Sequence, residues 1–314
     1  STKEENHIHE CDFPLLLNKK IRVTKSIITN SMDQRMIDQL VKNAIENNVS
    51  IYEVDNKKLL EINPDIIITQ GLCEVCSISE NQVQATLKNN LCTLTSKTKI
   101  ISLNATTFEE ICSEIKMIGK EVNKIEVAER LIQVANNKKN NLIKKKFNKK
   151  LLLLEWIDPY FSPGHWIPEQ IEIAGFQSVV GKKGEKSVEL SAEKINELNP
   201  DYIGLICCGY NLEENKFFAN QLYKDSRINN LNAIKNEQVY AFDSNSYFSR
   251  PSLRIMDGAE QLREAIFFKN KNYHCKRTYW YIIGNSSPTS LSPVLSLIFS
   301  KGGDPSPPLS TKKA

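Results

Sequence analysis

The sequence predicts an α/β protein of two similar lobes with mostly parallel sheets, and three observations lead there. The first is a repeat: "LLEINPDIIITQG" (59–71) and "INELNPDYIGLICCG" (195–209) share a helix-forming stretch, Asn-Pro-Asp, an apolar run and a glycine. Proline pushes the asparagine before it out of the helical region, so each helix stops there. The apolar run that follows is bounded by turn residues and reads as a strand buried on both faces, which is the habit of parallel sheets. The second observation is the alternation of strands and helices around each copy. The third is a helical stretch between the copies that is long enough to brace two lobes.

Taken in order, the first lobe holds a helix over 32–48, a strand near 50–53 and a helix over 57–62. A strand over 65–69, a helix near 79–88 and a strand over 98–103 complete it. The second lobe opens with a strand, loop and helix that have no counterpart here, so the natural beginning, with any export signal, is expected to be missing. The connector starts with "TTFEEICSEIKMIG" (106–119), which has a threonine cap and acids in its first turn. A second helix is expected from Ile125 to Phe147, with Val127, Leu131, Val134 and Leu142 near helical spacing. At 1.5 Å per residue it would span roughly 35 Å. In the second lobe, "KLLLLEW" (150–156) is a buried strand and "IDPYFSPGHW" (157–166) a loop. A helix follows with Pro168 in its first turn and Gly175 at its end, and Ser191 caps the next. Then come a strand over 201–206, a helix near 216–224 and the strand "QVYAFD" (238–243). The closing helix carries Ile255, Ala259, Leu262 and Ile266 at 4-3-4 spacing. The divisions are therefore an incomplete lobe over 1–105, a connector over 106–149, a lobe over 150–268 and a tail over 269–314. That tail holds five of the twelve prolines and reads as disordered or unrelated.

Composition excludes several classes. Hydrophobic residues make up 40% and charged residues 25%, ordinary for a globular chain. The net charge of +4 is weak and gathers in Lys138, Lys139, Lys144, Lys145, Lys146, Lys149 and Lys150. No aromatic platform accompanies this run, so it reads as a solvated helix end and not as a nucleic-acid surface. The eight cysteines scatter; Cys92 and Cys112 read as buried thiols, and adjacent Cys207 and Cys208 are not expected to bridge each other. No run of about 18 apolar residues exists to span a membrane, and the charged start "STKEENHIHECDFP" is no signal peptide. Nothing supports a catalytic triad, a phosphate loop or a nucleic-acid module.

The segments "HECDFP", "NPDIIITQGLCEVCSIS", "LEWIDPYFSPGHWIPEQIEIAG" and "NSYFSRPSLRIMDGAEQL" resemble the cobalamin-type (Fe/B12) periplasmic substrate-binding proteins of ABC importers, the helical-backbone metal receptors. The resemblance spans roughly 8–266, in order and with matching spacing. It implies two Rossmann-like lobes joined by one long helix, a ligand held in the cleft between them, and little movement on closing. It also implies a non-catalytic, monomeric receptor with no catalytic cofactor, which hands cobalamin or a related metal chelate to a membrane permease. An extracytoplasmic or periplasmic location follows from the resemblance, while the missing signal peptide leaves a cytoplasmic one open. Two departures stand out: relatives begin with another strand and helix, and the tail matches nothing in them.

Ligands of open α/β lobes sit beyond the carboxyl ends of the strands. Four loops are then expected on one cleft: 70–76 from the first lobe, and 156–166, 207–210 and 245–250 from the second. Besides the contacts named next, they carry Trp156, Asp158, Tyr160, Cys207 and Cys208. A corrinoid or porphyrin needs aromatic surface for its faces and polar groups at its edge. The expected contacts are Cys73, Glu74, Cys76, His165, Trp166, Tyr210, Tyr247 and Arg250. His165 and Cys73 are candidates for an axial bond to cobalt or iron. Each has a plainer reading: His165 as a helix cap, Arg250 as a loop anchor, Glu74 as a permease contact. Trp156, directly after a strand, is expected in the core and Trp166 in the pocket. Cys73 and Cys76 could also form half a zinc site or a redox pair, which would make this a thiol- or zinc-dependent protein. An orphan binding domain with no importer is a further alternative.

Overall fold

The computed structural model describes residues 22–29, 32–47, 49–71, 98–268 and 272–276. The first lobe begins with β1 (Thr24–Ser26), α1 (Gln34–Glu46), β2 (Tyr52–Val54) and α2 (Asn56–Ile62), then β3 (Ile66–Gln70) and β4 (Lys99–Leu103). Asp33 caps α1 by accepting the Met36 N–H at 2.8 Å, as an N-cap carboxylate should. β3 and β4 pair in parallel as expected, Ile66 opposite Lys99 through Gln70 opposite Leu103. β2 does not join them. It pairs antiparallel with β1, Lys25 opposite Glu53. The reason lies in the side chains: "TKS" and "YEV" are short and polar, and antiparallel pairs tolerate a wet face where parallel strands do not. A small core of Ala44 and Ile51, with Ile28, Leu40, Val41 and Tyr52 around it, lies beneath.

Two helices follow in the expected connector, α3 (Phe108–Glu121) and α4 (Ile125–Leu142). A capping box of Thr107 and Glu110 starts α3. α4 stops five residues before the expected Phe147, so its 18 residues span about 27 Å. Phe147 turns inward instead, 5.0 Å from the Phe176 ring and 4.4 Å from that of Phe267. Arg263 supports this exit by donating to the carbonyls of Leu142 and Lys145. The buried seam of α4 also differs from the apolar spacing in the sequence. Ala128, Ala135 and Leu142 are buried, while Val127, Leu131 and Val134 stay 41%, 49% and 61% exposed. Close packing explains it, since a Cβ on Gly119 would stand 2.6 Å from that of Ala128. Nor is the lysine run simply solvated: Lys138 pairs with Asp257 and Glu260, Lys139 with Glu109 and Glu169, and Lys149 with Asp201.

The second lobe contains β5 (Lys150–Leu154), β6 (Trp156–Ile157), β7 (Tyr160–Ser162), α5 (Ile167–Ala174), β8 (Gln177–Ser178) and β9 (Val188–Leu190). It continues with α6 (Ala192–Leu198), β10 (Tyr202–Leu205), α7 (Leu212–Leu222), α8 (Asn232–Lys235) and β11 (Val239–Ala241). α9 (Ser244–Tyr247), α10 (Ile255–Phe267) and β12 (His274–Cys275) close it. The main sheet runs β12-β11-β10-β5-β8, with β8, β5, β10 and β11 parallel and β12 antiparallel at the edge. Side chains alternate along β5. Leu151 and Leu153 join the core under α3, α4, α5 and α10, and Leu152 and Leu154 the core under α6, α7 and α8. The expected loop over 157–166 instead holds part of a small antiparallel sheet, β6-β7-β9. The expected tail likewise begins too early: Cys275 is buried in the second core and its carbonyl accepts the Tyr223 hydroxyl at 2.7 Å. Residues 277–314, like the expected helix near 79–88, lie outside the described residues. No helix among the described residues is long and apolar enough to cross a membrane.

Candidate functional site

The carboxyl ends of β5, β10 and β11 bring three loops together at one edge of the second lobe. After β5, Glu155 leads into the β6–β7 hairpin; its carbonyl accepts the Cys208 N–H at 3.1 Å, which ties the first loop to the second. After β10, Gly209 takes φ +86 with open space around it, and its carbonyl accepts the Asn245 amide at 3.1 Å, which ties the second loop to the third. Ser244 at the start of α9 donates to Ile206 O at 2.7 Å. Behind them Asn215 is fully buried. It accepts from Cys207 N at 2.8 Å and donates to Phe242 O at 3.0 Å and Tyr210 O at 3.3 Å. Buried Gln170 does the same for the third loop, donating to Ile255 O at 2.8 Å and Tyr247 O at 3.1 Å. Both amides escaped the sequence reading, though a polar residue among the apolar positions of a helix is the signal that finds them.

The two tryptophans exchange their expected places. Trp166 is 4% exposed, its indole N–H on Phe248 O at 2.9 Å, so it is a core residue and not a pocket face. Trp156 is half-buried beside Tyr210, with ring centroids 5.9 Å apart. Its indole N–H donates to Gln34 O, across in the first lobe, at 3.1 Å. Tyr160 is also core: its hydroxyl donates to Asp225, under the Arg227 guanidinium. Tyr247 and Arg250 are half-buried on the third loop.

His165 sits in the left-handed region at φ +55, held by a Glu185 carbonyl 2.6 Å from its N–H and a Gly184 N–H 2.9 Å from its carbonyl. Gly164 allows this approach, because a Cβ there would lie 2.3 Å from Glu185 O. The His165 Nδ1 is buried with no hydrogen-bond partner. Burial, then the charge of Lys186, lowers its pKa, so the ring is neutral at neutral pH. Glu155 is shifted the other way by burial, with a Ser187 hydrogen bond opposing. Burial pushes the Cys207 thiol up to about 12, which makes it a protonated thiol and no thiolate ligand. Cys208 beside it is exposed. Cys73, Glu74, Cys76 and Cys92 lie outside the described residues. Among the described residues no group of three or more His, Cys, Asp or Glu stands ready to hold a metal ion.

The family model described as "Periplasmic binding protein" matches residues 19–246. The chain belongs to that family. Its members are non-catalytic substrate-binding proteins. No curated protein matches the chain. Among solved structures, the vitamin B12 binding protein BtuF of Vibrio cholerae superposes with a TM-score of 0.54 at 15% identity, covering 82% of this chain and 85% of its own. The heme binding protein HutB of the same organism gives 0.56 at 17% identity, over 68% and 81%. An ABC transporter substrate-binding protein from Listeria monocytogenes gives 0.55 at 20%, again over 68% and 81%. At these identities the likeness speaks for the fold, an α/β architecture with mostly parallel sheets.

Proposed function

We propose that this chain is the extracytoplasmic receptor of an ABC importer and takes a metal chelate of the corrinoid or porphyrin kind into the cleft between its lobes. The Trp156–Tyr210 ring pair at the carboxyl edge of the second-lobe sheet is the observation that carries this reading. Aromatic surface beside polar loop backbone suits the face and edge of a flat macrocycle. Solved structures of the same fold are named for vitamin B12 and for haem, which points to the same ligand class. In this reading Tyr210, Tyr247 and Arg250 contribute to the pocket, with Trp156 in place of Trp166. His165, neutral and with a free ring nitrogen, is the described candidate for an axial bond to the metal. Cys73, Glu74 and Cys76 extend the pocket from the first lobe. A membrane permease is the partner to which such a receptor delivers.

Titration with cyanocobalamin, haemin and a ferric hydroxamate, followed by absorbance and tryptophan fluorescence, tests the proposal. One of the three is expected to bind saturably with fluorescence quenching. Tyr210→Ala should weaken that binding about tenfold, the worth of one ring contact. His165→Ala should change the absorbance of the bound metal centre. Failure of all three ligands to saturate overturns the reading.

A further inference from the structure

The N-terminus of α1 reaches out of the first lobe and meets Trp156, one member of the second-lobe ring pair. Gln34 is only 5% exposed there. Its side-chain oxygen accepts the Ile157 N–H at 2.9 Å, and its backbone carbonyl accepts the Trp156 indole at 3.1 Å. Next to it Arg35 pairs with Asp158 at 3.1 Å, and about two turns further on Lys42 stands 3.5 Å from Glu189 in β9. Burial raises the Tyr210 hydroxyl's pKa, and the Asp33 carboxylate at the start of α1 adds a small push in the same direction. The ties of α1 to the β6–β7–β9 sheet are thus hydrogen bonds and ion pairs.

Such a contact holds weakly. Arg35 and Asp158 are 67% and 44% exposed, so their pair is largely screened by water. Gln34 Nε2 is buried without a hydrogen bond of good geometry; it acts on the Cys207 thiol, whose sulfur is a weak acceptor. An unsatisfied buried donor regains its hydrogen bonds when it meets water, so separation returns part of what it costs. Two good hydrogen bonds favour the closed arrangement, and one orphaned amide favours opening.

We infer that the α1 N-terminus is a latch: Gln34 and Arg35 are positioning residues that hold the Trp156–Asp158 segment to the first lobe and cover the Trp156–Tyr210 face, and ligand reaches that face when they release. The gating half rests on the receptor reading above; the latch itself does not. Hydrogen exchange on the full chain without ligand tests the latch through the peptide spanning 155–161, which contains the Ile157 amide. Gln34→Leu and Arg35→Glu should each speed exchange there roughly tenfold by favouring the open state. Peptides over β5 and β10 should exchange as in the parent protein, which separates release from unfolding. Adding Asp158→Lys to Arg35→Glu re-forms the pair with its charges reversed and should restore slow exchange. Unchanged exchange at 155–161 in both single variants overturns the latch. For whichever of cyanocobalamin, haemin or ferric hydroxamate binds, association should be faster in Arg35→Glu. A parental rate despite faster exchange overturns the gating. If none of the three binds any variant, the receptor reading falls and the exchange result alone decides the latch.

Discussion

The two Asn-Pro-Asp units share one local grammar but lie in very different surroundings. At the first, α2 ends on Asn63 and β3 follows; at the second, α6 ends on Asn199 and β10 follows. β10 lies between β5 and β11 in a five-stranded sheet, with Ile203 and Leu205 fully buried. Among the described residues β3 pairs with β4 alone, and Ile68 is 46% exposed. Local sequence thus sets where a helix ends and a strand begins, while burial depends on how many neighbours the strand acquires. The most forceful way to break the comparison is to truncate one side chain in each strand. Ile203→Ala opens a cavity in a filled core and should lower unfolding stability by about 2–5 kcal/mol. Ile68→Ala removes a side chain that is already half in water and should cost about 0.5 kcal/mol or less. Urea unfolding of the two variants decides the matter. Equal losses would mean that β3 is as deeply packed as β10.

Charge gives a second contrast. In the second lobe Asp225 is hydrogen-bonded by Arg227, which, against burial and with help from the Tyr160 hydroxyl, holds its pKa at about 2. Its side chain is 17% exposed. An ordinary aspartate in the unfolded chain titrates near 3.9. The depressed folded value means that stabilisation is complete above about pH 5 and drains away as pH falls toward 2; the pair is worth about 2 kcal/mol at neutral pH. Asp225→Asn should therefore remove most of that stability at pH 7 and flatten the acid limb of a stability-against-pH curve. In the first lobe Asp55 is also lowered, by the backbone N–H and side chain of Lys58, but its ion-pair partner among the described residues is one flexible lysine ammonium, where Asp225 takes two hydrogen bonds from the planar Arg227 guanidinium. Asp55→Asn should leave the shape of the acid limb as it was. A flattened limb in both variants would erase the contrast.

Much of the second lobe was legible from residues alone because its signals are local and repeated. The Asn-Pro-Asp stops, the Ser191 cap, Pro168 in a first turn and Gly175 at φ +100 all act within a few residues. Ile255, Ala259, Leu262 and Ile266 are between 0% and 2% exposed, as their spacing required. What stayed hidden depends on partners distant in the chain. Trp156 and Trp166 look alike in sequence, and only the third dimension puts one indole on Phe248 and the other on Gln34. The small-residue seam of α4 was masked by the more conspicuous valines and leucine beside it. The lysine run read as solvated because Asp257 and Glu260 lie more than a hundred residues further along the chain. Of the candidate site, the three second-lobe loops were placed from sequence. Gln34 was not, since nothing in "MDQRMIDQL" marks a glutamine that crosses to another lobe.

The finest test of the comparison is the helix stop itself. Asn63 and Asn199 adopt nearly the same left-handed geometry, with φ of 44° and 40°, and each donates its N–H back to the residue four earlier, Leu59 and Ile195. Asparagine accepts that region with less strain than other side-chain-bearing residues, and glycine accepts it with none. Alanine at either position should cost about 1 kcal/mol, and glycine should equal or slightly exceed the parent in stability. An asymmetry among the described residues is a 3.5 Å approach of the Asn232 N–H to Asn199 Oδ1, too long to add much. If the caps are purely local devices, Asn63→Ala and Asn199→Ala should shift the urea midpoint by the same small amount even though Ile203→Ala and Ile68→Ala do not. A shift at Asn199 alone would mean that the stop draws its strength from the buried sheet behind it, and that the likeness of the two units ends at their sequence.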